Sequence, residues 1–132
     1  GGFVRKAIFN EDMIYAGRLI QEGYAVAYAA DAKVIHSHNY SCMQQFHRNF
    51  DLGVSQAEHP EVFEGIKSES EGIKLVKQTA AHLVKRRKIH LVPKLVYQSG
   101  CKYIGYRMGK IYKKLPDKVV KWCSMSPGYW EK

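Results

Sequence analysis

Apolar residues recur at helical spacing along several stretches of this chain and at alternate positions in one. Residues 10–22 read as a helix, with Ile14, Leu19 and Ile20 forming an apolar stripe beside Ala16 and Gly17. Asn10 stands where a side-chain oxygen can take up a free backbone N–H. Phe9 and Ile14 have the spacing of a hydrophobic staple, and Gly23 is placed to end the helix in the left-handed conformation. Residues 24–28 and 32–36 read as two short strands, because Val26 and Tyr28 alternate with alanines and Val34 and Ile35 are β-branched. Ala30-Asp31 marks the turn between them.

A second helix starts at Ser41, where Ser41 and Gln44 fit the capping-box pattern. Met43, Phe46, Phe50 and Val54 share one face, and Gly53 is expected to weaken or end it. His59-Pro60 opens a loop or a short helix through Phe63. Ser68 and Glu71 offer another capping box, followed by Ile73, Val76, Ala80, Leu83 and Val84 at helical spacing with Lys and Arg opposite. Pro93 suits the first turn of a further helix. Along it Tyr97, Cys101, Ile104, Met108, Ile111 and Leu115 make a heptad-like seam, which Pro116 stops. A last short helix is expected over 117–124, with an irregular end. The fold class is therefore an α/β fragment, mostly helical: a short strand pair followed by a helical tail.

Charge divides the chain further. Residues 1–72 carry six Lys/Arg and ten Asp/Glu, and residues 73–132 carry fifteen and two, which together give the net +9. The second part should seek anions. The organisation expected is residues 1–54 as part of a catalytic domain, 55–72 as a linker and 73–132 as a basic helical extension. Apolar runs fall far short of the ~20 residues that span a bilayer. The three cysteines are widely spaced with no C-x-x-C pair, so neither a zinc knuckle nor a disulfide framework is indicated, and a reducing, cytoplasmic setting fits.

Two clusters can carry chemistry. Glu11 and Asp12 open the first helix; acids there complement its dipole, and one of them could also take a proton from an acceptor hydroxyl as a general base. His36 and His38, at i and i+2 on an extended segment, face the same way and could reach one divalent metal. Neither pair completes a site alone. No H-E-x-x-H, G-x-G-x-x-G or Walker loop occurs.

The order of these elements resembles the C-terminal, acceptor-side half of family 2 glycosyltransferases of the GT-A (Rossmann-like) fold. The resemblance rests on Gly1-Gly2-Phe3, Asn10-Glu11-Asp12 opening a helix, Gly23-Tyr24 after it, and Ala32-Lys33-Val34-Ile35-His36 closing a strand. The run Gln45-Phe46-x-Arg48-Asn49-Phe50-Asp51-x-Gly53 is similar to bacterial rhamnosyltransferase-like members. The resemblance covers residues 1–54 well and the tail loosely. It implies Asp12 as catalytic base with Glu11 beside it. It implies His36, or as second choice His38, as a ligand of the divalent ion, Mg²⁺ or Mn²⁺. Gly1, Gly2 and Phe3 then lie beside acceptor and donor sugar, and Arg48 near the diphosphate, although an exposed helical Arg is the commoner outcome.

The partners implied are a nucleotide-sugar donor and a saccharide or lipid-linked acceptor, in polysaccharide or cell-envelope glycan synthesis by single displacement with inversion. No Asp-x-Asp occurs, so the chain is expected to be a piece of a longer enzyme with an incomplete metal ligand set, inactive alone. Lys85, Arg86, Arg87, Lys88, Lys110, Lys113 and Lys114, interleaved with tyrosines, could rest on an anionic membrane surface at the inner face of the cell membrane; a solvated helix face competes with that reading. The alternative function is a non-enzymatic basic helical module binding anionic membrane or nucleic acid, the latter ranked lower because no recognised nucleic-acid motif is present.

Overall fold

A computed structural model describes residues 2–4, 6–35, 39–66 and 68–131. Among the described residues six α-helices follow in order: α1 (Glu11–Gln21), α2 (Cys42–Glu58), α3 (Pro60–Phe63), α4 (Ser68–Lys85), α5 (Val92–Lys110) and α6 (Asp117–Cys123). Single 3-10 turns cover Ile89–Leu91, Tyr112–Lys114 and Pro127–Trp130. The mostly helical expectation holds. The strand pair does not: among the described residues there is no strand, and residues 24–35 run irregularly and exposed. A lone two-stranded hairpin is marginal in water, and alternation in the sequence cannot supply the further strands that would hold it.

Local signals fix the helix ends. At the end of α1, Gly23 adopts φ 89, with its N–H on the Ile20 carbonyl and the Tyr24 N–H on the Leu19 carbonyl at 2.9 Å, closing a Schellman motif. At the start of α2, the Ser41 hydroxyl accepts from the Gln44 N–H at 3.2 Å and the Gln44 side chain accepts from the Ser41 N–H at 2.8 Å. Pro93 lies in the first turn of α5, and Pro116 precedes α6.

The core forms where α2 meets α5. Phe46, Phe50 and Val54 of α2 are buried together with Ile8, Val120 and Cys123. Gly53 does not end α2. A Cβ there would run into the Tyr106 carbonyl, so glycine is what lets α5 approach. On α5 a Cβ at Gly105 would meet the Phe46 carbonyl, and one at Gly109 the Phe50 carbonyl. The contacts 46–105 and 50–109 advance together, so the helices run parallel with backbones nearly touching.

One turn earlier in the same register Cys42 and Cys101 form a disulfide, their Cα atoms 6.0 Å apart. This corrects the reading that no disulfide is indicated. The partners lie 59 residues apart in sequence, and only the helix register brings them together. The heptad-like seam holds in part: Cys101, Met108 and Leu115 pack against the core, whereas Tyr97, Ile104 and Ile111 are exposed and the glycines Gly105 and Gly109 are the buried positions of α5.

The end of the chain closes over α2. The Tyr112 and Tyr129 hydroxyls each donate to the Glu58 carboxylate at 2.9 Å, and Trp130 packs against both rings. Burial, then the bonded Glu58 carboxylate, pushes the Tyr129 phenol up to about 12 and raises that of Tyr112 as well. Met125 N–H donates to Asp51 Oδ2 at 3.0 Å, while the buried Asp51 Oδ1 has no hydrogen-bond partner among the described residues. Burial pushes the Asp51 carboxyl up to about 6, against the opposing pull of Ser124, Met125, Ser126 and His47. By contrast, α4 has no buried residue along its 18 positions.

Candidate functional site

The acidic pair sits on a firmly seated loop. Asn10 adopts a left-handed backbone (φ 60), its carbonyl accepting the Ile14 N–H at 2.9 Å. The Ser55 hydroxyl of α2 donates to the Phe9 carbonyl at 2.7 Å, and Ile14 is fully buried beneath. Glu11 and Asp12 therefore leave an anchored turn and face solvent. Asp12 Oδ1 accepts the Met13 N–H at 2.8 Å, a hydrogen bond that orients the carboxylate at the helix start. The Asn10 side chain does not cap the helix. Its left-handed backbone turns it inward, and its amide nitrogen is buried without a partner among the described residues.

Phe3 lies against Tyr15, ring centroids 5.0 Å apart, one helical turn beyond Asp12. Gly2, at φ 127, occupies a conformation that favours glycine. Phe3 and Asp12 are thus brought to neighbouring parts of α1. Gly1, His36 and His38 lie outside the described residues, and the flanking Ile35 and Asn39 are exposed.

Arg48 does something the sequence does not suggest. Its guanidinium lies 4.6 Å from the Phe9 ring centroid and 5.5 Å from that of Tyr40. Phe9 precedes the acidic pair and Tyr40 follows the histidine pair. One side chain on α2 thereby holds the chain on both sides of the expected site.

No group of three or more His, Cys, Asp or Glu is gathered as a metal site among the described residues. The described donors do not by themselves make up a ligand set for a divalent cation.

The basic residues divide into two sets. Lys85, Arg86, Arg87 and Lys88 form the exposed turn between α4 and α5, with Arg87 left-handed (φ 57) in the place a glycine usually takes. Lys110, Lys113 and Lys114 lie at the far end of α5, about 28 Å away along a 19-residue helix. No helix among the described residues is long and apolar enough to cross a membrane.

The residues that sequence reasoning missed are Gly105 and Gly109, the cysteine pair, Glu58 and Asp51. Asp51 left a signal in the sequence: it directly follows Phe50, within the run from Gln45 to Gly53 that resembles rhamnosyltransferase-like members.

Comparison with known proteins extends the reading. The chain is 39% identical over 133 residues to the O-antigen chain rhamnosyltransferase WbaN of Salmonella anatum. It is 38% identical over 132 residues to the O-antigen chain rhamnosyltransferase RfbN of Salmonella typhimurium. Each match takes in 98% of this chain and 41% of the relative, so the chain spans about two fifths of the length of the curated relatives it matches. No family model matches the chain, and no solved structure matches it. The resemblance to rhamnosyltransferases, drawn first from short motifs in residues 1–54, thus extends to nearly the whole chain, tail included.

Proposed function

We propose that this chain is a segment of a glycosyltransferase that moves a rhamnosyl unit from a nucleotide-sugar donor to a growing O-antigen or other cell-envelope glycan, free or lipid-linked. The carrying observation is the 38–39% identity along almost the whole chain to two proteins named as O-antigen chain rhamnosyltransferases. The likeness includes the basic helical part, which argues against a separate non-enzymatic module.

Asp12 is the catalytic base of this proposal. It removes the proton of the acceptor hydroxyl as that oxygen attacks the anomeric carbon and the nucleoside diphosphate departs, with inversion. Exposure at the start of α1 and a carboxylate held by the Met13 N–H suit the task. Glu11 flanks it. Gly1, Gly2 and Phe3 border the sugars, and Arg48 is assigned to hold the site's two loops. A divalent ion, Mg²⁺ or Mn²⁺, held in part by His36 or His38, belongs to the proposal for the whole protein, as does a place at the inner face of the cell membrane. The segment of 132 residues is proposed to be inactive by itself.

The test is transfer of labelled rhamnose from its nucleotide donor by a full-length protein containing this chain. Asp12→Asn should lower turnover by about 10²–10⁴ while donor binding persists. A variant within tenfold of the parent would remove Asp12 from the role. Robust turnover by the 132-residue segment would remove its proposed dependence on the rest of the enzyme.

A further inference from the structure

The groove between α4 and α5 is not used by the sugar-transfer reading. It is an open cleft of about 510 Å³. Ile73, Leu75 and Val76 of α4, Leu95 and Val96 of α5 and Leu52 of α2 supply its aliphatic lining. Several of its apolar side chains are largely bare, Leu75 being 64% exposed, Val96 58% and Ile73 49%, while Val76 and Leu95 are half-buried. An amphipathic helix of 18 residues with nothing fully buried is incomplete in water, because its apolar stripe is only partly covered by α5.

Charge says what the partner is. From Gly72 to Pro116 there is no Asp or Glu, while twelve Lys and Arg occur. The acid at the rim, Glu69, is paired with Arg107 at 3.2 Å. The cations concentrate where the groove's two helices join. There Lys85, Arg86, Arg87 and Lys88 stand beside Ile89, which is 60% exposed, and Lys94 follows one turn into α5. Tyr97 and Tyr103, both largely exposed, add rings suited to the level of lipid headgroups.

We infer that the α4–α5 hairpin docks on an anionic phospholipid leaflet, its 85–88 turn among the headgroups and its apolar groove against the acyl chains. An acidic protein surface would satisfy the cations but leave the groove's aliphatic lining in water. A leaflet satisfies both. The docking needs no sugar transfer and stands whether or not the chain belongs to a rhamnosyltransferase.

Flotation of the 132-residue chain with vesicles of phosphatidylcholine, alone or mixed with phosphatidylglycerol, tests this. Binding is expected only to the mixed vesicles. Lys85→Gln with Lys88→Gln should weaken it about thirtyfold, at roughly 1 kcal/mol per basic residue. Leu75→Glu with Val96→Glu, both at exposed positions where folding is not at stake, should weaken it by about tenfold or more. At high salt the parent should keep a residual affinity that the Leu75/Val96 variant lacks. Unchanged binding by that variant would overturn the inference, because adsorption would then be purely ionic. So would absence of binding at low salt. A second copy of the chain as occupant would appear as self-association in sedimentation, abolished by the same two substitutions, and that result too would overturn it.

Discussion

Helices α2 and α4 have nearly the same length, 17 and 18 residues, and both carry an apolar stripe opposite a polar one. Their fates differ completely. Phe50 and Val54 of α2 are fully buried, whereas no residue of α4 is. Amphipathicity therefore announces that a helix wants cover without saying what the cover is. For α2 the cover is α5, and the deciding residues lie on the partner: Gly105 and Gly109 let two backbones meet. For α4 no such backbone contact forms: a Cβ at Gly72 or at Gly100 would meet nothing within 4 Å, and the gap between the helices stays open. Backbone contact built on glycines is rigid, whereas a gap between side chains leaves room for a ligand.

The contrast is tested most severely at the disulfide. Cys42→Ala removes a link across 59 residues, and the loop-entropy relation puts its contribution at about 4 kcal/mol. Urea titration of parent and variant under oxidising conditions should differ by that order, and the difference should vanish in reductant. A negligible difference would mean that glycine contact alone fixes the α2–α5 register.

Glycines sharpen the comparison within one experiment. Gly109→Ala pushes a methyl into the Phe50 carbonyl and should cost about 3 kcal/mol or more, since backbone has little room to yield. Gly72→Ala in α4 meets nothing within 4 Å and should instead stabilise by up to about 1 kcal/mol through helix propensity. Equal effects at the two sites would erase the distinction between the covered and the uncovered helix.

Asp51 marks the buried side by its pH response. Its carboxyl, ordinarily near 3.8, is raised to about 6 by burial, so the folded state holds the proton more tightly than the unfolded state. The sign follows from linkage: stability is greatest below pH 3.8, falls as pH rises through about 6, and is flat above. The total is about 3 kcal/mol if the shift acts alone. Thermal melts of Asp51→Asn across this range should lose that slope, since the amide can still accept the Met125 N–H without ionising. A parent protein with no slope between pH 4 and 6 would place Asp51 in water.

Much of the helical framework was legible because it is set by neighbours in sequence. Gly23, Ser41 with Gln44, Pro93 and Pro116 each act within a few residues, and each marks a helix end. The strand pair failed for the opposite reason: a strand depends on partners that no local pattern names. The cysteine pair, the Glu58 clamp and the close approach of Gly105 and Gly109 all join residues more than fifty positions apart. In the candidate site, the acidic pair at the start of a helix was readable from its spacing. The device that holds it, Arg48 over Phe9 and Tyr40, was not, because cation–ring stacking leaves no periodic trace.

The smallest expected effect bears most directly on α4. Leu75→Ala removes a large aliphatic side chain from an amphipathic helix, a change that in a packed core costs about 2–5 kcal/mol. Here the side chain is 64% exposed and borders an open groove, so little buried area is lost, and alanine is the better helix former. The two terms nearly cancel, and urea unfolding of the chain in solution should shift by less than about 0.5 kcal/mol. Phe50→Ala on the covered helix supplies the reference, at about 3–5 kcal/mol. A loss above 1.5 kcal/mol at Leu75 would mean that α4 is already packed in solution, and the groove would then be closed to any ligand. A loss that stays small in solution but grows when anionic vesicles are present would locate the missing cover outside the folded chain.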